Sequence, residues 1–136
     1  MYLLDTDTVI YGLKGHTEVM GNLRRHMHDS LKLCVITLME LCYGAYKSQK
    51  IASNLAKIKT LEDAFEVLPV GRETVDAFGH LKAELEKSGN PLDDFDLILA
   101  SCALAHNLTL VTNNEKHFRR IQGLKPANWT TDHHES

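Results

Sequence analysis

Met1-Tyr2-Leu3-Leu4-Asp5-Thr6-Asp7 is the stretch on which the fold turns. Tyr2-Leu3-Leu4 is a short apolar run without alternation, the pattern of a central strand buried on both faces. It runs straight into Asp5 and then Asp7. A carboxylate at a strand exit stands where the sheet stops and water begins, and open α/β sheets bind ligands along that carboxyl edge.

Further strands follow the first at helical intervals. Leu33-Cys34-Val35-Ile36 reads as a second buried strand, with Thr37 ending it and starting a helix from Leu38 to about Ser48. Val67-Leu68-Pro69-Val70 carries a proline and reads as an edge strand. Thr109-Leu110-Val111-Thr112 is a third central strand, and Leu124-Lys125-Pro126 adds a last edge. Helices are expected after Asp5 (capped by Thr6 or Asp7) and over 17–29, 51–65, 72–87, 93–106 and 115–121. Strands alternating with helices give a parallel α/β sheet of four to five strands.

The chain has 136 residues, enough for one domain over 1–130, and the polar tail 131–136 is expected to be disordered. A net charge of −3 lacks the strongly basic signature of a protein that coats nucleic acid. Cys34, Cys42 and Cys102 show no zinc-type spacing and read as small buried hydrophobes of a reducing cytosol. With no leader pattern and no membrane-length apolar run, the expectation is a soluble cytoplasmic protein. No dinucleotide or NTP glycine cradle and no acyl-nucleophile elbow is present.

Acidic residues recur at the strand exits. Asp5 leaves the first strand, Glu40 follows the second within one helical turn, and Asn114 lies just past the third. Asp96 opens the apolar helix that feeds the third strand. Each has a plain structural reading. Thr37-Leu38-Met39-Glu40 fits a capping box, Asp93-Asp94-Phe95-Asp96 fits an acidic helix start, Asp7 fits a helix cap, and Asn113-Asn114 fits a turn. Brought together they mean something else. Two carboxylates about 5 Å apart repel by roughly 3 kcal/mol at an effective dielectric of 20, so three in one place need protons or a cation. All-oxygen ligands suit Mg²⁺ or Mn²⁺, whose bound water serves hydrolysis.

The segments carrying these residues resemble PIN-domain proteins, specifically the VapC toxins of bacterial toxin–antitoxin pairs. The likeness runs through Leu3-Leu4-Asp5-Thr6-Asp7-Thr8-Val9-Ile10-Tyr11, Ile36 to Ala45, Pro91 to Ala100 and Leu110 to Phe118, and covers 2–130 in order. It implies a three-layer α/β/α sandwich and a Mg²⁺- or Mn²⁺-dependent endoribonuclease. Asp5, Glu40 and Asp96 match the family's three acids, with Asn114 as a fourth metal-site position. The implied substrate is RNA, with tRNA cut in the anticodon stem-loop. The implied partners are a second copy of the chain and a VapB-like antitoxin that inserts a C-terminal segment at the acids. Asp7 stands where the family usually has Asn, and Asn114 where many members have Asp.

RNA contacts would fall to Lys14, Lys47, Lys116, Arg119 and Arg120 near the acidic edge. Tyr11, Tyr43, Tyr46 and Phe118 read as core or dimer-packing residues before base-stacking ones. Two other readings stay open: a non-catalytic RNA- or protein-binding module, and a nuclease of DNA or of RNA maturation.

Overall fold

The computed structural model describes residues 1–131. Five strands, β1 (Tyr2–Leu4), β2 (Leu31–Cys34), β3 (Glu66–Leu68), β4 (Thr109–Val111) and β5 (Lys125–Ala127), form one sheet in the order β3-β2-β1-β4-β5. Every neighbouring pair is parallel. β1 is the centre: Tyr2 pairs with Leu31 on one side and Thr109 on the other. Among the described residues, seven helices connect the strands: α1 (Thr6–Leu13), α2 (Thr17–Arg25), α3 (Val35–Tyr46), α4 (Ile51–Ala64), α5 (Arg72–Lys87), α6 (Asp94–Ala105) and α7 (Glu115–Phe118).

Successive residues of each central strand enter different cores, which is why the strands look uniformly apolar. Leu3, Cys34 and Leu110 face Leu81 and Leu85 of α5, Leu97 of α6 and Phe118 of α7. Leu4, Leu33 and Val111 face Val9 of α1, Leu41 and Ala45 of α3, Ile58 of α4 and Trp129. The result is the expected three-layer sandwich, apolar on both faces of the sheet. The proline-bearing segments took the two edges: Pro69 follows β3, and Pro126 lies within β5, where one side of the strand needs no ladder donor.

Three boundaries differ most from the sequence expectation. β2 ends at Cys34, and α3 is already helical at Val35 and Ile36. Those two β-branched residues extend an apolar run that strand and helix satisfy equally well. Burial decides it, since Ile36 packs into the α5–α6 core as a helical residue. α2 stops at Arg25; beyond it the His26 ring stacks on Trp129 at 4.8 Å and its Nδ1 meets Asp29 at 2.7 Å. α7 spans four residues and does not reach Ile121. Residues 132–136 of the expected tail lie outside the described residues. Among the described residues no helix is long and apolar enough to cross a membrane.

Leu110, fully buried in the middle of β4, tests this core. Leu110→Ala is expected to cost about 2–5 kcal/mol, seen as a lower urea midpoint. A loss under about 1 kcal/mol would mean that the sheet is not packed as described.

Candidate active site

In a parallel sheet all carboxyl ends lie on one edge. Successive connections leave β1 toward β2 on one side and later reach β4 on the other, so the crevice at the end of β1 is the switch point of the topology. Asp5 stands in that crevice. Its N–H continues the ladder to the Val111 carbonyl at 2.9 Å. Its carboxylate then caps α1, accepting from the Thr8 N–H at 2.9 Å. The cap is therefore Asp5, and neither Thr6 nor Asp7 as expected. A cap residue keeps extended backbone, and Asp5 is the last residue to do so (ψ 170°), while Thr6 is already helical. Asp5 is only 5% exposed. Burial pushes its carboxyl above the usual range and the charge of Asp7 adds to this; hydrogen bonds from Thr112 and Thr8 act against it.

Glu40 reaches the same edge through two threonines. Because α3 begins at Val35, Thr37 lies inside the helix and the capping box does not form; the N-cap is Cys34, without a side-chain cap bond. Glu40 is instead held by the Thr6 hydroxyl, which donates to its Oε1. The Thr6 and Thr37 hydroxyls lie 3.2 Å apart. A hydroxyl has one proton, so Thr37 donates to Thr6 while Thr6 donates to Glu40. Thr37 is fully buried. The residue next to Asp5 thus ties the helix after β2 to the helix after β1.

Asp96 comes from α6, whose N-cap Asp93 accepts from the Asp96 N–H at 3.1 Å. The Asp96 carboxyl is pushed up to about 7, first by burial, then by Asp93, and further by the charges of Asp5 and Glu40. That Asp5 and Glu40 both act on Asp96 brings the three acids to one place. Asn114 sits at the mouth, its N–H donating to the Thr112 Oγ1 at 3.0 Å and its Nδ2 to the Asp7 Oδ2 at 3.3 Å. Asp7 is exposed at the outer rim.

The predicted cations divide into two groups. Lys14 borders a groove of about 420 Å³ that Glu40 also lines, and Lys116 is exposed beside the mouth. The other three have intramolecular partners. Lys47 lies over the Tyr43 ring at 4.7 Å, Arg119 pairs with Glu115 at 3.4 Å, and Arg120 donates to the His117 carbonyl at 3.0 Å. Phe118 is core as expected, whereas Tyr43 and Tyr46 are exposed, outside any core of the single chain.

Four site residues escaped the sequence reading: Thr6, Thr37, Thr112 and Lys57. Lys57 lines the groove from α4. The one available signal was the recurrence of threonine beside each strand exit. The acids face one another without closing into a cage: among the described residues, no three His, Cys, Asp or Glu side chains gather tightly enough to enclose an ion unaided.

This edge, on this sheet order, defines a PIN-type α/β domain, and the PIN domain family model matches residues 2–124. The chain belongs to the PIN-domain family, and within it to the VapC ribonucleases. It is 34% identical to Ribonuclease VapC2 of Rickettsia felis, with 95% of this chain and 98% of the relative covered. It is also 34% identical to the tRNA(fMet)-specific endonuclease VapC of Shigella flexneri, over 95% of this chain and 98% of that one. Among solved structures, it matches VapBC2 from Rickettsia felis bound to a promoter DNA fragment with a TM-score of 0.88 at 35% identity, covering 94% of this chain and 98% of the other. VapBC from Salmonella typhimurium, also bound to DNA, matches at 0.88 and 32%, over 94% and 97%.

The crowded acids give metal-free protein a pH dependence of definite sign. Asp5 and Asp96 bind protons more tightly folded than unfolded. Between the ordinary carboxylate range and about pH 7 the folded state therefore holds protons that the unfolded state has lost, and stability falls as pH rises through that window. Urea unfolding in chelator at pH 5, 6 and 7 is expected to show this fall, and Asp96→Asn is expected to flatten it. A stability that rises over the same window would refute the assignment of Asp96 to a crowded site.

Proposed function

We propose that the chain is the toxin of a toxin–antitoxin pair and a metal-dependent endoribonuclease that hydrolyses RNA phosphodiester bonds at the Asp5–Glu40–Asp96 edge. The observation that carries this reading is the gathering of three acids where the sheet ends: Asp5 caps α1, Thr6 beside it holds Glu40, and Asp96 at the start of α6 lies close enough to feel both charges. A protein gains nothing in stability from such crowding, and a divalent cation relieves it.

The donor set suits Mg²⁺ or Mn²⁺. It is all oxygen, and these ions take one or two carboxylates and complete their shell with water and substrate phosphate. Asp5 and Asp96 would hold the ion, with Glu40 and Asn114 beside it. When bound, the ion supplies a water of lowered pKa and offsets charge on the phosphoryl group. The chain's own residues set the geometry. Thr112 and the Thr8 N–H fix the Asp5 carboxylate. Thr6 occupies one oxygen of Glu40 and leaves the other to orient or deprotonate a water. Lys14 and Lys57, in the groove that starts at Glu40, would take flanking phosphates.

The relatives named as tRNA(fMet)-specific endonucleases support the initiator tRNA as substrate, and the family resemblance implies a cut in the anticodon stem-loop. The VapBC neighbours support a VapB-like antitoxin as partner. A homodimer is the further expectation; Met39, Tyr43 and Tyr46, spaced along one exposed face of α3, offer apolar surface for it.

Purified protein incubated with total RNA and Mg²⁺ is expected to give discrete cuts with 5′-phosphate ends in one tRNA. Removing the metal with chelator, or making Asp5→Ala or Asp96→Ala, is expected to slow cleavage about a thousandfold or more, the equivalent of several kcal/mol of lost charge stabilisation. Circular dichroism is expected to show both variants folded. Cleavage by Asp96→Ala at the normal rate would overturn the assignment. Cuts in single-stranded DNA but not in RNA would replace the substrate, and binding without cleavage would leave a non-catalytic module.

A further inference from the structure

Asp7 has no part in the helix cap, which Asp5 provides, and none in a core, since it is exposed. Its Oδ2 accepts from the Asn114 Nδ2 at 3.3 Å, across the gap between the first turn of α1 and the loop after β4. That bond fixes the orientation of both groups. With the Asn114 amide nitrogen turned to Asp7, the Asn114 Oδ1 and the second Asp7 oxygen remain as acceptors on the same rim. Asn114 is itself anchored, since its N–H donates to the Thr112 Oγ1 at 3.0 Å. Thr112 is fully buried beside Asp5, and its hydroxyl favours the ionised Asp5 carboxylate. A chain of contacts therefore runs from the inner acid, Asp5, through Thr112 and Asn114, to the outer acid, Asp7.

We propose that Asp7 is the fourth anionic group of the site, a positioning residue that Asn114 aims at the outer rim, where it holds the water shell of a divalent cation. This rests on the metal-dependent reading above and assigns the outer charge to α1, not to the loop after β4. Asn114 then contributes a neutral oxygen and the orientation, and Asp7 the charge. The pair works as a unit whose charge can be transposed. Asp7→Asn with Asn114→Asp keeps one carboxylate and one amide within hydrogen-bond distance, with the charge moved to the other side of the same gap.

The test is Mn²⁺ binding to the purified full chain by calorimetry, with the Mn²⁺-induced rise in melting temperature as a second readout. Asp7→Asn is expected to weaken Mn²⁺ binding about ten- to a hundredfold, the scale for groups that act through a metal's outer shell, and to shrink the thermal shift. The transposed double variant is expected to return both to near the wild-type values. If Asp7 serves only as an anion in the first turn of α1, Asp7→Asn will lower the melting temperature with and without Mn²⁺ equally and leave the affinity unchanged. That result would overturn the proposal while leaving the Asp5–Asp96 site standing. If wild type takes up no Mn²⁺ in the millimolar range, the metal reading falls and this inference with it. If Asp7→Asn binds weakly but the double variant does not recover, Asp7 is a ligand independent of Asn114, and the paired arrangement is wrong.

Discussion

The structure depends on one electrostatic constraint: carboxylates gathered at the exit of a buried parallel sheet. Asp5 is nearly sequestered from solvent, with Asp7 outside it and Asp96 and Glu40 within reach. Burial alone disfavours the ionised form, and each like charge disfavours it further. The scaffold tolerates this because the sheet is apolar on both faces and α1 begins at Asp5, so the Thr8 N–H and the α1 macrodipole face that carboxylate. The stability of the sandwich supports a local arrangement that would not persist on a loop.

Hydroxyl groups then turn crowding into order. Thr112 fixes Asp5 and receives Asn114; Thr37 and Thr6 hand a hydrogen bond on to Glu40. These threonines are β-branched, with few accessible rotamers at χ1. A hydroxyl can donate to a carboxylate without adding charge, so it holds the acid and does not neutralise it. A lysine in the same role would compete with a cation for the site. Two of the three, Thr37 and Thr112, are completely buried, so their proton positions are set by their partners and not by water.

The strands at the centre were legible from the sequence because parallel burial leaves a plain apolar run, and the edges were legible because proline marks them. Asp5 and Glu40 drew attention through their positions after successive strands, and Asp96 through its place at the start of the helix that feeds the next strand. What the sequence hid has a common cause. Val35 and Ile36 suit strand or helix, and only the α5–α6 core selects the helix. That shift removed Thr37 from the cap and released Glu40 from its capping-box reading, so one misplaced boundary carried a wrong role for a site residue. Likewise the cap of α1 is set by where extended backbone ends, a property of the β1–β4 ladder and not of local preference. Lys57 was hidden because its partner residues in the groove come from α1 and α3, far away in sequence.

The charge balance bears on how such a chain holds RNA. With a net charge of −3, and with Lys47, Arg119 and Arg120 each held by a partner within the chain, few of the cations predicted near the acidic edge are free to turn toward a polyanion. Lys14, Lys57 and Lys116 are too few for strong nonspecific binding, whose strength grows with the number of phosphates neutralised. Affinity must then come from a small number of contacts near the scissile bond. A ligand held this way is sensitive to its shape around one phosphate and insensitive to most of its length. A folded RNA loop that presents one splayed phosphodiester meets that demand better than a long duplex, whose grooves require broad basic surface. The acidic edge, with so few cations beside it, therefore also narrows the substrate.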